Sequence, residues 1–258
     1  MLRPRIIPCL LVKNKGLVKT INFKDPKYVG DPINAVRIFN EKEVDELMVL
    51  DIDATAEGRE PDYAMIEHLA AECRMPLCYG GGISNSRQVE RIIGLGVEKV
   101  ALGAGLLQHP EIIVESGRSV GSQSIVAVLD VRKKSKGGEY EVFTHNGRTP
   151  TGHAPVHLAK EAERLGAGEI VLNSIDNDGM MTGYDLELVG RVRREIGLPV
   201  TCLGGAGSLK DMAKLFELYG PMGGAAGSLF VFKGPYRAVL INYPNRAAKE
   251  AIVPEASL

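Results

Sequence analysis

Short runs of β-branched and aliphatic residues alternate with stretches of helical period along the whole chain. Eight runs read as strands: Arg5–Val12, Glu46–Asp51, Pro76–Gly80, Lys99–Leu102, Ser124–Val131, Glu169–Asn173, Val200–Leu203 and Gly224–Ala226. The stretches between them carry helix start and stop signals. Asp31-Pro32 places an N-cap before a proline at the first helical position, where no N–H is missed. Ser86 precedes Arg87–Leu95, closed by Gly96; Ser208 precedes Leu209–Leu218, closed by Gly220. Alternation of strand and helix predicts a parallel sheet. Eight such units in 258 residues match the size of a closed (β/α)8 barrel, the TIM barrel. A doubly wound open sheet would want G-x-G-x-x-G after the first strand, and Leu10-Leu11-Val12-Lys13 stands there instead.

The chain also repeats itself. Glu46-Leu-Met-Val-Leu resembles Glu169-Ile-Val-Leu-Asn at an offset of 123. Gly80-Gly81-Gly82 resembles Gly204-Gly205-Ala206, and Ala101-Leu-Gly-Ala resembles Ala225-Ala-Gly-Ser, both at an offset of 124. Arg5–Leu11 aligns with Ser124–Asp130 at an offset of 119. A nearly constant offset implies one domain over residues 1–258, built from two duplicated half-barrels of about 1–123 and 124–248. Two connections exceed the usual few residues. Lys13–Gly30 follows the first strand and Arg132–Gly152 the fifth. Both rise from the face where barrel active sites lie, so a substrate lid is expected over mobile solvated loops.

Charge narrows the partners. Lys+Arg number 31 and Asp+Glu 32, so no basic field is present to attract nucleic acid or an anionic membrane. No apolar run approaches the roughly 20 residues that span a bilayer, and no signal-peptide pattern opens the chain, so a cytoplasmic protein is expected. Cys9, Cys73, Cys78 and Cys202 lack zinc or disulfide spacing, which leaves reduced thiols and no expected metal or cofactor.

Glycine turns carry the clearest chemical signal. Gly80-Gly81-Gly82 and Gly204-Gly205-Ala206-Gly207 each precede a helix, whose free N–H groups favour an anion. Gly227-Ser228 adds a second wall where barrels usually hold phosphate, and Asp178-Gly179 a further tight turn. Asp130 ends the fifth strand, where a carboxylate in the barrel mouth serves as a general base once burial raises its pKa. Asp51, Asp53, Asp176 and Asp178 are weaker candidates that read equally as loop caps. The repeat mate of Asp130 is Leu11, which transfers no proton, and that of Gly227-Ser228 is Gly103-Ala104, which lacks the hydroxyl. Arg5, Glu46, Lys99 and Glu169 stand at the opposite strand ends. Spacing alone reads them as ordinary salt bridges, with a gate as the alternative.

Arg5-Ile-Ile-Pro-Cys-Leu, Val49-Leu-Asp-Ile, Gly80-Gly-Gly-Ile, Gly147-Arg-Thr-Pro-Thr-Gly, Gly166-Ala-Gly-Glu-Ile, Asp176-Asn-Asp-Gly, Gly183-Tyr-Asp-Leu-Glu and Gly204-Gly-Ala-Gly occur together. This set resembles the cyclase subunit of imidazole glycerol phosphate synthase, the HisF family, over nearly the whole chain. The resemblance implies a lyase subunit of a glutamine amidotransferase complex in histidine biosynthesis. A HisH-like glutaminase would dock at the barrel bottom, and ammonia would cross the barrel to a phosphorylated ligand at the top. It makes Arg5, Glu46, Lys99 and Glu169 an ammonia gate, and matches Lys19 and Asp130 to site residues. Lys19, Gly82, Asp176, Asp178, Gly179, Gly205, Gly227 and Ser228 then become the implied phosphate or substrate ligands.

The departures are specific. The family places a second aspartate after the first strand, where this chain has Leu11, and Asn-Thr after the fourth, where it has Gly103-Ala104. Such a pattern is similar to the HisF-like branch that accompanies acetamidino modification of surface-polysaccharide sugars. There the barrel and its glutaminase serve a sugar amidotransferase acting on a nucleotide sugar in O-antigen and lipopolysaccharide biosynthesis. A working histidine-pathway cyclase and a non-catalytic scaffold that activates the glutaminase are the other readings.

Overall fold

The computed structural model describes residues 3–134 and 138–253. The first half runs β1 (Arg5–Lys13), β2 (Gly16–Ile21), β3 (Lys24–Gly30), α1 (Pro32–Glu41), β4 (Leu47–Asp51) and α2 (Tyr63–Glu72). It continues with β5 (Leu77–Gly80), α3 (Ser86–Gly94), β6 (Lys99–Leu102), α4 (Ala104–Gln108) and α5 (Glu111–Val120). The second half opens with β7 (Ile125–Lys133), β8 (Tyr140–Thr144), β9 (Thr149–Pro150), α6 (Pro155–Leu165), β10 (Glu169–Ser174) and α7 (Leu186–Arg193). Then come β11 (Val200–Leu203), α8 (Leu209–Tyr219), β12 (Gly223–Ala226), α9 (Ser228–Val231), β13 (Phe232–Lys233), β14 (Ala238–Val239) and α10 (Arg246–Glu250).

Strands β1, β4, β5, β6, β7, β10, β11 and β12 pair in parallel, in that order. β12 returns to β1 through Arg5↔Gly223, so the sheet closes. The chain is a (β/α)8 TIM barrel. All eight expected strands are present, with ends shifted by one or two residues. Alternation along the strands sorts the apolar residues into two bodies. Ile6, Leu10, Val49 and Leu172 face the helices in one large cluster. Ile7, Met48, Cys78, Val126, Val171 and Ala225 fill the barrel interior in a second.

The helices begin where their caps dictate. The Asp31 carboxylate accepts from the Asn34 N–H at 2.8 Å, ahead of Pro32. The third helix starts one residue earlier than expected. Asn85, not Ser86, caps it, and its side chain accepts from the Gln88 N–H at 3.1 Å. Ser208 caps α8, and Asp211 answers by accepting from the Ser208 N–H at 2.8 Å.

Both long connections, expected to form a substrate lid, are built on antiparallel strands. Lys13–Gly30 is built on β2 and β3, antiparallel to β1 and to each other. Arg132–Gly152 carries β8 and β9, antiparallel extensions of β7. The β1–β2 and β2–β3 reversals sit on residue pairs of positive φ, Asn14 and Lys15, Asn22 and Phe23, while the four-residue β8–β9 turn holds three, His145, Asn146 and Gly147. Two consecutive left-handed residues match the twist of a two-residue hairpin, and asparagine tolerates that region at little cost.

The end of the chain also departs from expectation. Beyond Pro244, α10 covers part of the segment expected to fray, and Lys249 bonds Asp45 at 2.7 Å. Tyr243 donates its hydroxyl to the Ile6 carbonyl at 2.9 Å, and Asp45 accepts from the Ile6 N–H at 2.9 Å. Residues 254–258 of that expected tail lie outside the described residues. No helix among the described residues is long and apolar enough to cross a membrane.

Candidate functional site

The C-terminal strand ends surround a cavity of about 150 Å³ that opens to solvent. Leu11, Leu50, Val128 and Leu203 make its apolar floor; Lys19, Asp130, Asn173 and Asp178 are its charged and amide groups. Asp130 is the inward residue near the end of β7. Its Oδ1 accepts from Asn173 Nδ2 at 2.8 Å. Burial pushes its carboxyl up to about 7, with the Asn173 hydrogen bond opposing and nearby Asp178 adding to the rise. A carboxyl poised there is suited to taking or giving a proton at neutral pH.

That elevation has a stability consequence. The folded chain holds this proton through a range where the unfolded chain, at the ordinary value of 3.8, has released it. Stability therefore declines as pH rises from about 4 to about 7. Asp130→Asn is expected to remove the larger part of the decline, leaving the share of Asp178, and to exceed wild-type stability near pH 8 by at least about 1 kcal/mol. Urea midpoints at pH 5 and pH 8 check this; a parallel fall in both proteins would contradict it.

Lys19 enters the mouth from β2. Its Nζ donates to the Cys9 carbonyl at 2.6 Å, and burial lowers its pKa against the opposing pull of Cys9 and Asp178. Gly227 makes room for it, because a Cβ there would lie 2.2 Å from the ammonium nitrogen. Asp178 binds the hairpin that carries Lys19. Its Oδ2 accepts from the Thr20 hydroxyl at 2.6 Å and the Phe23 N–H at 3.2 Å. Burial raises its pKa, opposed by these hydrogen bonds and by Lys19. Gly179 lets the strands approach, since a Cβ there would meet the Thr20 carbonyl at 2.1 Å.

Gly205, Gly227 and Ser228 share one wall with Ala206, while Gly81, Gly103 and Ala104 face them across the mouth. Gly82 stands behind that opposite wall, where its N–H donates to the Thr55 hydroxyl at 3.1 Å. Asp176 turns outward and accepts from the Lys133 N–H at 2.8 Å, anchoring the fifth-strand hairpin. Asp51 caps its own loop through the Ala54 N–H at 3.1 Å. Asp53 pairs with Lys13 at 2.9 Å and accepts from Asn146 at 3.1 Å.

At the other end of the barrel the four charged residues form a ring. Arg5 Nη1 bonds Glu46 Oε2, and Arg5 Nη2 bonds Glu169 Oε1 at 2.7 Å. Lys99 Nζ lies 2.9 Å from both Glu46 Oε2 and Glu169 Oε2. Both glutamates are buried and both cations part-exposed, and each cation touches both anions. Burial pushes the Glu169 carboxyl up, but Arg5 and Lys99, helped by the Thr201 hydroxyl, hold it below the usual range. The apolar interior cluster lies between ring and cavity. Asn173 was not singled out from the sequence, although it shares inward parity with Glu169 four residues earlier. His145 and Asn146, which also line the cavity, reach it only through their hairpin turn.

The profile of the histidine biosynthesis protein family matches residues 5–236. The chain belongs to this family, in its HisF group. A Vibrio vulnificus (strain YJ016) protein, provisionally named imidazole glycerol phosphate synthase subunit hisF3, is 55% identical over 97% of this chain and 96% of its own. A Leptospira interrogans protein, provisionally named imidazole glycerol phosphate synthase subunit HisF, is 56% identical over 98% and 99%. The imidazole glycerol phosphate synthase subunit HisF of Lactococcus lactis (strain SK11) is 41% identical over 84% of each chain. The chain is a HisF-type synthase subunit.

Proposed function

We propose that this HisF-type barrel conducts ammonia from a HisH-like glutaminase, docked at the ring, to a sugar amidotransferase that forms an acetamidino group on a nucleotide sugar. The observation that carries this reading is an asymmetry between the two barrel ends. The ring is complete and a packed apolar interior separates it from the mouth, whereas the mouth has Leu11 in place of an acid and Gly103-Ala104 at one wall. Small neutral ammonia suits an apolar conduit that turns back hydrated ions. A phosphorylated ligand would rest against Gly205, Gly227 and Ser228, with Lys19 above it. The reading places the complex in the cytoplasm, with O-antigen or lipopolysaccharide precursors as its product, and treats the two halves as products of duplication. The numeral in the Vibrio name hisF3 agrees with additional HisF copies serving other tasks.

A second reading is the histidine-pathway cyclase, favoured by Asp130 near 7 and by Lys19 in the mouth. Reconstitution separates the two. Glutaminase, barrel, amidotransferase, an N-acetylated acceptor sugar and ATP, to activate the amide oxygen as the leaving group, are incubated with amide-labelled [15N]glutamine. Label is expected in the acceptor only when the barrel is present. Equal labelling without the barrel would overturn the proposal. Labelling that persists when the ring is broken would favour a scaffold that conducts nothing.

A further inference from the structure

We infer that Thr201 is a fifth member of the ring, a positioning residue that latches Glu169 and closes the gate on the side of β12. The inference rests on the conduit reading above and adds a residue that the four-charge ring does not include. Thr201 lies on β11 with 0% exposure. Its hydroxyl donates to Glu169 Oε1 at 2.5 Å and accepts from Arg5 Nη2 at 3.4 Å. One hydroxyl thus uses its single proton on the anion and a lone pair on the cation, bridging the pair that Arg5 and Glu169 already form.

Strand register shows why it reaches them. Arg5 pairs with Gly223, and Gly223 pairs with Thr201, so the three share one layer across β1, β12 and β11. Gly223 has no side chain to stand between Arg5 and Thr201. A Cβ there would fall 1.8 Å from the Thr201 oxygen and 2.8 Å from its Cβ. The Thr201 side chain therefore occupies the space that a larger residue at position 223 would fill. It seals the sector of the ring that carries no charge of its own. With Thr201 in place, Glu169 receives donors from Arg5, Lys99 and the hydroxyl, and its two oxygens are fixed. Without the hydroxyl, Glu169 can swing, and the sector over Gly223 loses its latch.

Thr201→Val keeps the shape and removes the donor; Thr201→Ser keeps the donor. In the full chain with 13C-labelled glutamate carboxyls, Thr201→Val is expected to raise the Glu169 titration midpoint by about one pH unit. Thr201→Ser returns it toward wild type. In the reconstituted amidation reaction, Thr201→Val is expected to increase severalfold the share of glutamine nitrogen escaping as free [15N]ammonium, with Thr201→Ser again restoring coupling. An unchanged Glu169 midpoint in Thr201→Val overturns the inference. So does intact coupling in Thr201→Val while Lys99→Ala uncouples, an outcome that leaves the conduit reading standing. If neither variant uncouples, the conduit reading fails and the gate role of Thr201 fails with it.

Discussion

Supplied with free ammonium, the purified barrel is expected to convert the phosphoribosyl formimino intermediate of histidine biosynthesis about 10²–10⁴-fold more slowly than a two-aspartate cyclase, the usual cost of losing one acid–base partner. Forming imidazole glycerol phosphate and the aminoimidazole ribotide requires protons to be both removed and delivered. Under the cyclase reading Asp130, with a carboxyl near 7, would serve one of those tasks. Leu11 stands on the mouth floor, packed with Leu50, and has no proton to exchange. Leu11→Asp returns a carboxyl to the mouth that Asp130 lines and should recover at least about tenfold of the lost rate. Steady-state turnover at saturating ammonium, with and without Leu11→Asp, checks both statements. Robust cyclisation by the wild-type chain would sink the amidation reading and establish the histidine pathway. A slow wild type with no recovery in Leu11→Asp would mean that Gly103-Ala104 also has to revert before the substrate is held.

Arg5→Ala is the variant expected to cost most stability. It leaves Glu46 and Glu169 facing each other in a buried layer with Lys99 as their one remaining strong cation. Removing one partner of a buried ionic network costs about 3 kcal/mol or more, because the other charges stay buried and undercompensated. For a chain of this size that is a fall of roughly 6–12 °C in Tm. The pH dependence follows from Glu169. Its carboxyl is held below the ordinary 4.5, so its contribution is present above that value and is lost as pH falls through the folded one. Arg5 and Lys99 are shifted upward, so their contributions fade only at strongly alkaline pH. Arg5→Ala should therefore flatten the acid limb of the stability curve, its deficit being largest near neutral pH and shrinking toward pH 3, and leave the neutral-to-alkaline slope unchanged. Thermal melts from pH 3 to pH 9 test this. An Arg5→Ala protein that melts with the wild type at every pH would show that the ring holds nothing together.

Barrel and ring were legible because each repeats a simple period. Their places at strand starts put Arg5, Glu46, Lys99 and Glu169 at one end of the barrel before any coordinates, where spacing alone read them as ordinary salt bridges. Asn173 and Thr201 lie on the same strands, but amide and hydroxyl side chains inside a strand read as filler until their partners are seen. The hairpins after β1 and β7 were hidden for another reason. Asn14-Lys15 and Asn22-Phe23 become two-residue reversals only through their positive φ, and His145-Asn146-Gly147 opens a four-residue one in the same way. Composition registered polarity and missed geometry. Gly82 and Asp176 show the limit of motif transfer within a loop. One residue along from Gly81, the N–H already serves Thr55, and two along from Asp178, Asp176 anchors a hairpin on the outside.

Closure of the barrel joins residues that are far apart in synthesis. Arg5 meets Glu169 across 164 positions, and Tyr243 meets Ile6 across 237. A nascent chain emerging from the ribosome can pair β1 with β4 early, yet it cannot seat β12 beside β1 until more than four-fifths of the protein has been made. Contacts of such separation form late and slowly. Until then the ring charges stay hydrated on an open sheet edge, and their desolvation is deferred to the final docking step. The strap from Tyr243 to Lys249, arriving last, then locks the seam beside Ile6. Chains that stall before it should linger as open, edge-exposed intermediates that depend on chaperones.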